Sequence, residues 1–160
     1  MEELSYKEDA WMEKIDGKIV MMSPRPFVKH NIITTNISRI FGNFLVGKPC
    51  VVFGDGVDVH LDEKNTFIPD VMIVCNQGII HEDAIYGAPD LVVEVLSPST
   101  MRRDRTVKMK KYAAAGVREY WHEKELSLIE SYPAVYEQLK EKYAADPAEA
   151  AQFITDWTVA

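Results

Sequence analysis

The sequence predicts a mixed α/β domain followed by a helical tail. Three observations carry this: one segment with apolar residues at helical spacing, a middle region of short β-branched runs broken by Gly, Pro, Asp and Asn, and a return to helical composition near the end. At 160 residues and 47% hydrophobic, the chain can bury about two-thirds of the surface that its unfolded form exposes. Its composition excludes wholesale disorder and low-complexity assembly.

The elements follow in order. Residues 5–15 read as a short helix carrying Trp11, Met12 and Ile15, closed at the Asp16-Gly17 turn. A strand from Lys18 to Met22 comes next, and Ser23-Pro24-Arg25-Pro26 is a loop because two prolines remove two backbone donors. From His30 to Val46, the positions Ile33, Ile37, Ile40, Phe41 and Phe44 recur at three and four, giving a helix with one buried face that Gly47 ends. The period then changes. Val51 to Phe53, Val57 to Leu61, Val71 to Cys75 and Leu91 to Leu96 read as strands. After the Ser97-Pro98-Ser99-Thr100 turn, a helix runs from Arg102 to Ala115, Gly116 stops it, and a strand spans Val117 to Trp121. In the tail, Tyr136, Leu139 and Tyr143 share a helical face, and Asp146-Pro147-Ala148-Glu149 starts a second helix.

The chain carries 25 acidic against 18 basic side chains, a net charge of -7, so its surface as a whole does not attract a polyanion. Charge is nevertheless segregated: Arg102 to Lys111 holds six cations and one acid, which reads either as a DNA-facing run or as a solvated helix face. No apolar run approaches the ~18 residues of a membrane span, and Met1-Glu2-Glu3 is acidic where a signal peptide is basic. A cytoplasmic protein without membrane attachment is the expectation. In that compartment Cys50 and Cys75, each beside a valine, are expected as buried thiols.

Chemistry concentrates in Pro89-Asp90-Leu91-Val92-Val93-Glu94-Val95-Leu96-Ser97, which sets a carboxylate in the middle of an apolar strand. A buried charge must be protonated, paired or metal-bound. A paired structural Glu94 is one reading. The other takes Asp70, in Ile68-Pro69-Asp70-Val71, as a second carboxylate delivered by the preceding strand, so that the two build a hard oxygen site. Asp90 shares parity with Glu94 but lies about 13 Å along the extended chain, too far to share an ion. Carboxylates suit Mg²⁺ or Mn²⁺, and none of His30, His60, His81 or His122 has zinc-ligand spacing with another His or Cys. A metal site beside a basic helix points to phosphodiester chemistry.

At these residues the chain resembles the bacterial Uma-type family of restriction endonucleases, within the PD-(D/E)XK nuclease superfamily. The matching pieces run from Ile15 to Pro24 through His30, Asp58-Val59, Pro69-Asp70-Val71, Gly87 to Val95, Ser97 to Thr100, Asp104, Lys108 and Tyr112, to Gly116-Val117-Arg118-Glu119-Tyr120-Trp121. They cover roughly three-quarters of the chain. The resemblance implies a restriction-endonuclease-like αβββαβ core with a mixed central sheet over residues 1–121, and it leaves 122–160 as an atypical helical extension packed on the same domain. It also implies that a strand continues after Trp121, where His122-Glu123-Lys124-Glu125 is strongly polar.

Carried over by position, Asp70 and Glu94 match the two metal-binding acids. The usual E-x-K lysine is absent, since Glu94-Val95-Leu96 has leucine there, and Lys108 on the next helix matches the relocated lysine. Lys108 also lies four residues after Asp104, the spacing of an exposed helical ion pair. Glu13, near the family's first helix, is either a third carboxylate of the site or a solvated helix residue. His30 either orients a phosphate or caps its helix. The function implied is a Mg²⁺- or Mn²⁺-dependent endonuclease that hydrolyses DNA with a metal-activated water; the oligomeric state stays open, with a homodimer one option because small nucleases that cut both strands often pair two sites. The competing class is a catalytically inactive nucleic-acid- or protein-binding module that keeps the fold.

Overall fold

The helix expected around residue 37 forms as α1 (Val28–Phe44), and its period sets which face is buried: Ile33, Thr34, Ile37, Ile40 and Phe41 turn inward. The structure is a computed structural model that describes residues 11–22, 28–96 and 104–124. Their order is β1 (Met12–Ile15), β2 (Lys18–Met21), α1, β3 (Val51–Gly54), β4 (Val59–Asp62), β5 (Asn65–Phe67), β6 (Val71–Val74), a 3₁₀ turn (Gln77–Ile79), β7 (Ile85–Tyr86), β8 (Leu91–Leu96), a π-type turn (Asp104–Lys108), α2 (Met109–Ala115) and β9 (Glu119–Lys124).

Two sheets result, a five-stranded one in the order β2-β1-β5-β4-β7 and a four-stranded one in the order β3-β6-β8-β9. In the second sheet β3, β6 and β8 pair antiparallel and β9 joins β8 in parallel. Together with α1 and α2 it gives the αβββαβ order, and the first sheet is built from the remaining strands. The fold is mixed α/β, as expected.

Alternation along the strands assigns the two cores. Val71, Leu91, Val93 and Val95 meet Ile33, Ile37 and Phe41 of α1, with the Phe41 and Trp121 rings edge to face at 5.7 Å. Met72, Val74 and Val92 face the other way, into a cluster with Val59, Phe67 and Ile85 of the first sheet and Tyr112 of α2. Each such side chain stabilises the fold by about 1.5–3 kcal/mol through its removal from water.

Three expectations are corrected. Residues 12–15 are a strand and not the end of a helix: Asp16 (φ 51) and Gly17 (φ 78) both take positive φ, the two-residue turn that pairs Ile15 with Lys18 in a hairpin. The final strand, expected over Val117 to Trp121, instead spans Glu119 to Lys124 through its register with β8. Cys50 and Cys75 are not thiols but a disulfide. They flank the Val51–Val74 pair, so the pairing of β3 with β6 sets them opposite one another, which their spacing of 25 residues conceals. The expected tail helices, including Tyr136, Leu139 and Tyr143, lie outside the described residues. Among the described residues no helix is long and apolar enough to cross a membrane.

The disulfide closes a loop whose length predicts a contribution of about 2–4 kcal/mol. The double variant Cys50→Ala/Cys75→Ala should therefore unfold at lower urea than the oxidised protein, and reductant should move only the latter. Coincident urea midpoints with and without reductant would count against this.

Candidate active site

The four-stranded sheet brings two acids near one another. The β6–β8 pairing sets Val71 opposite Val93 and Met72 opposite Val92, and just beyond it Asp70 reaches the backbone next to Glu94. Glu94 shares the strand face of Val92, and Asp70 stands at the entry to β6, where α1 meets it through His30. Asp70 is buried and held at both oxygens: the Val95 N–H donates to Oδ2 at 2.6 Å, and His30 Nε2 from the first turn of α1 lies 3.2 Å from Oδ1. His30 thus contacts an acid of the site.

Glu94 is engaged from α2 and the turn before it. Lys108 Nζ donates to its Oε1 at 3.1 Å and the Tyr112 hydroxyl to the same atom at 3.3 Å. Lys108 also meets Glu13 Oε1 at 2.7 Å, and the Ile68 N–H donates to that oxygen at 3.3 Å. Lys108 is only 2% exposed, so it is not the half of an exposed helical pair. Lys110 of the same run is exposed, and Lys111 contacts Asp16. Glu13 is fully buried on β1, a strand and not a helix, and is not the solvated residue of the alternative reading. The lysine reaches inward at the junction of the π-type turn and α2, a kind of irregularity frequent at functional sites.

Two residues escaped sequence reasoning. Tyr112, expected only to turn the Lys108 stripe toward the sheet, is itself buried among the Phe67 and Tyr120 rings. Burial, then the charges of Glu94 and Glu13, push its hydroxyl well above the usual range, so it remains a donor to Glu94. Asp55, in Gly54-Asp55-Gly56 after β3, reads as a turn in sequence. Although it touches solvent, desolvation by the surrounding protein and then the Asp70 charge push its carboxyl up to about 6, against the smaller opposing effects of His30, the Gly56 N–H and Lys108. Asp90, the rival rejected on distance, serves elsewhere: it accepts from the Cys75 N–H and contacts Arg118.

Charge does not balance in this interior. Among the described residues Glu13, Asp70 and Glu94 are buried carboxylates and Lys108 is the buried ammonium. Glu13 Oε2 is buried without a hydrogen-bond partner, a costly state for a carboxylate oxygen. The donor set is hard oxygen, suited to Mg²⁺ or Mn²⁺. Among the described residues no group of three or more His, Cys, Asp or Glu side chains is placed to hold a metal ion. A hard ion here would be met by one or two carboxylates and water, the mode Mg²⁺ favours.

Comparisons with known proteins bear on the same region. The family model Uma2, described as "Putative restriction endonuclease", matches residues 2–152. An uncharacterized protein of Synechocystis sp. is 33% identical over 102 residues, which are 63% of this chain and 53% of that protein. The chain thus spans about half the length of the curated relative it matches. A crystal structure described as a "putative nuclease belonging to DUF820" from Anabaena variabilis superposes with a TM-score of 0.60 at 22% identity, covering 71% of this chain and 65% of that one. This second likeness supports the fold.

Two outcomes follow from the geometry. Lys108→Ala strands two buried carboxylates and should cost about 3–5 kcal/mol in urea unfolding, whereas Lys110→Ala at an exposed position should stay within about 0.5 kcal/mol. Equal midpoints would show that the buried pair does not form in solution. Asp55 has its folded value raised, so its contribution to stability is present below the unfolded value of 3.8 and is lost as pH rises through about 6. In chelator-treated protein, Asp55→Asn should melt progressively above wild type as pH rises from 4 to 7, and a difference independent of pH would contradict the assignment.

Proposed function

Because the chain belongs to the Uma2 family of restriction endonucleases, we propose that it is a Mg²⁺- or Mn²⁺-dependent endonuclease hydrolysing phosphodiester bonds of DNA, with Asp70, Glu94 and Lys108 as its working residues. The observation that carries the reading is that Asp70 bonds the backbone next to Glu94, with a buried lysine on Glu94. When bound, the divalent cation would supply Lewis-acid polarisation of the phosphate and offset charge that builds in the transition state.

The protein's own groups supply the rest. Asp70 and Glu94 would hold the ion, each kept in place before it arrives: Asp70 by His30 and the Val95 N–H, Glu94 by Tyr112 and Lys108. Glu13 keeps the Lys108 ammonium within the site. There Lys108 can stabilise negative charge on a phosphoryl oxygen, a role whose loss costs about 10²-fold or more in rate. Cutting both strands of a duplex calls for two such sites, which a symmetric homodimer would provide.

Plasmid incubated with the purified protein should be nicked or linearised in Mg²⁺ or Mn²⁺ and left intact with chelator. Asp70→Asn and Glu94→Gln should each reduce cleavage by about 10²-fold or more while circular dichroism stays unchanged. Lys108→Ala should reduce turnover at saturating DNA far more than it changes DNA affinity. Cleavage that persists in either acid variant removes these roles, and a wild-type protein that binds Mn²⁺ without cutting favours a binding module.

A further inference from the structure

Two aromatic side chains among the described residues are exposed, Trp11 at 47% and Tyr86 at 43%. Tyr86 is engaged by its neighbours: His60 stacks on its ring at 4.7 Å, His81 meets it edge-on, and its hydroxyl donates to Asp83. Trp11 is placed differently. Its carbonyl accepts from the Met22 N–H at the open end of the β1–β2 hairpin. Its indole lies against the loop after β3, where a Cβ at Gly56 would stand 3.5 Å from the ring. Gly56 has φ +99, a conformation that glycine adopts without steric cost.

Both neighbours put this ring at the margin of the candidate site. Gly56 lies two residues beyond Gly54, which pairs with Val71, the residue after Asp70. Along its own segment, Trp11 precedes by two residues Glu13, the partner of Lys108, so the two Cα atoms stand no more than about 7 Å apart. Met12, Ile19 and Met21 are also exposed on this hairpin, but their register and strand alternation set them on the face opposite Glu13. An indole left half in water forgoes part of the stabilisation that burial gives. Beside a site that holds a phosphodiester, the flat group able to cover it is a nucleobase.

We propose that Trp11 is a substrate-binding residue whose indole stacks on an unpaired nucleobase of the strand held at Asp70, Glu94 and Lys108, an inference that rests on the nuclease reading. The preferred substrate is then single-stranded or locally unpaired DNA, because a base within a duplex must first give up its own stacking and pairing. Every base has a π-face, so the contact holds the strand without reading its sequence.

Fluorescence anisotropy of the full chain with a labelled single-stranded oligonucleotide, in chelator so that no cleavage intervenes, reads this contact apart from catalysis. Trp11→Ala should weaken binding about tenfold, and Trp11→Phe should recover most of the loss. Met21→Ala, on the opposite face of the hairpin, should change binding less than about twofold. The Trp11→Ala loss should shrink on a paired duplex and vanish on an abasic strand of the same length, where no base is left to stack. Trp11→Ala that binds the single strand like wild type, or whose loss is equal on the abasic strand, overturns the stacking role and leaves the nuclease reading in place. A wild type that binds no strand overturns the stacking role, and one that also leaves plasmid intact in Mg²⁺ or Mn²⁺ overturns the nuclease reading with it.

Discussion

Lys108 joins parts of the chain that lie far apart in sequence. Its ammonium meets Glu13 on β1 of the five-stranded sheet and Glu94 on β8 of the four-stranded one, while its backbone stands where the π-type turn passes into α2. A buried lysine is tolerated when paired, and so is a buried glutamate; each is costly alone. The two sheets and the turn before α2 are therefore held to the arrangement that satisfies all three groups at once. Tyr112, one helical turn on, adds a hydroxyl to the same glutamate oxygen and fills the space beneath with its ring.

Much of this fold was legible in the sequence because the informative segments are long and periodic. The spacing of Ile33, Ile37 and Ile40 defines α1, and runs of valine define β6 and β8. β1 was misread because its alternation is hidden: the residue that points inward is Glu13, and Trp11, Met12 and Ile15 at spacings of one and three imitate a helical face. β5 and β7, of three and two residues, are too short to show any period. β9 extends through polar residues because a parallel partner, and not side-chain hydropathy, fixes its length.

The candidate site divides along the same line. Asp70 and Glu94 could be singled out because a carboxylate in or beside an apolar strand is expensive and so demands a reason. Lys108 rested on the resemblance, since the sequence alone allowed an exposed pair with Asp104. Asp55 carried no signal: an aspartate between glycines is the ordinary composition of a turn. Only the pairing of β3 with β6 sets it near Asp70, and pairing is a long-range property that no local window contains.

The disulfide has a bearing on that pairing. Cys50–Cys75 and Asp55–Asp70 stand at opposite ends of one ladder, with four residue pairs between them. A slip of one residue between the strands would set the two cysteines against Val74 and Pro49, or against Asn76 and Val51, and no disulfide could close. Formation of this disulfide is thus open only to molecules in which β3 and β6 are paired in register. In a population of folded chains the bond serves as a chemical record that β3 and β6 have paired in this register.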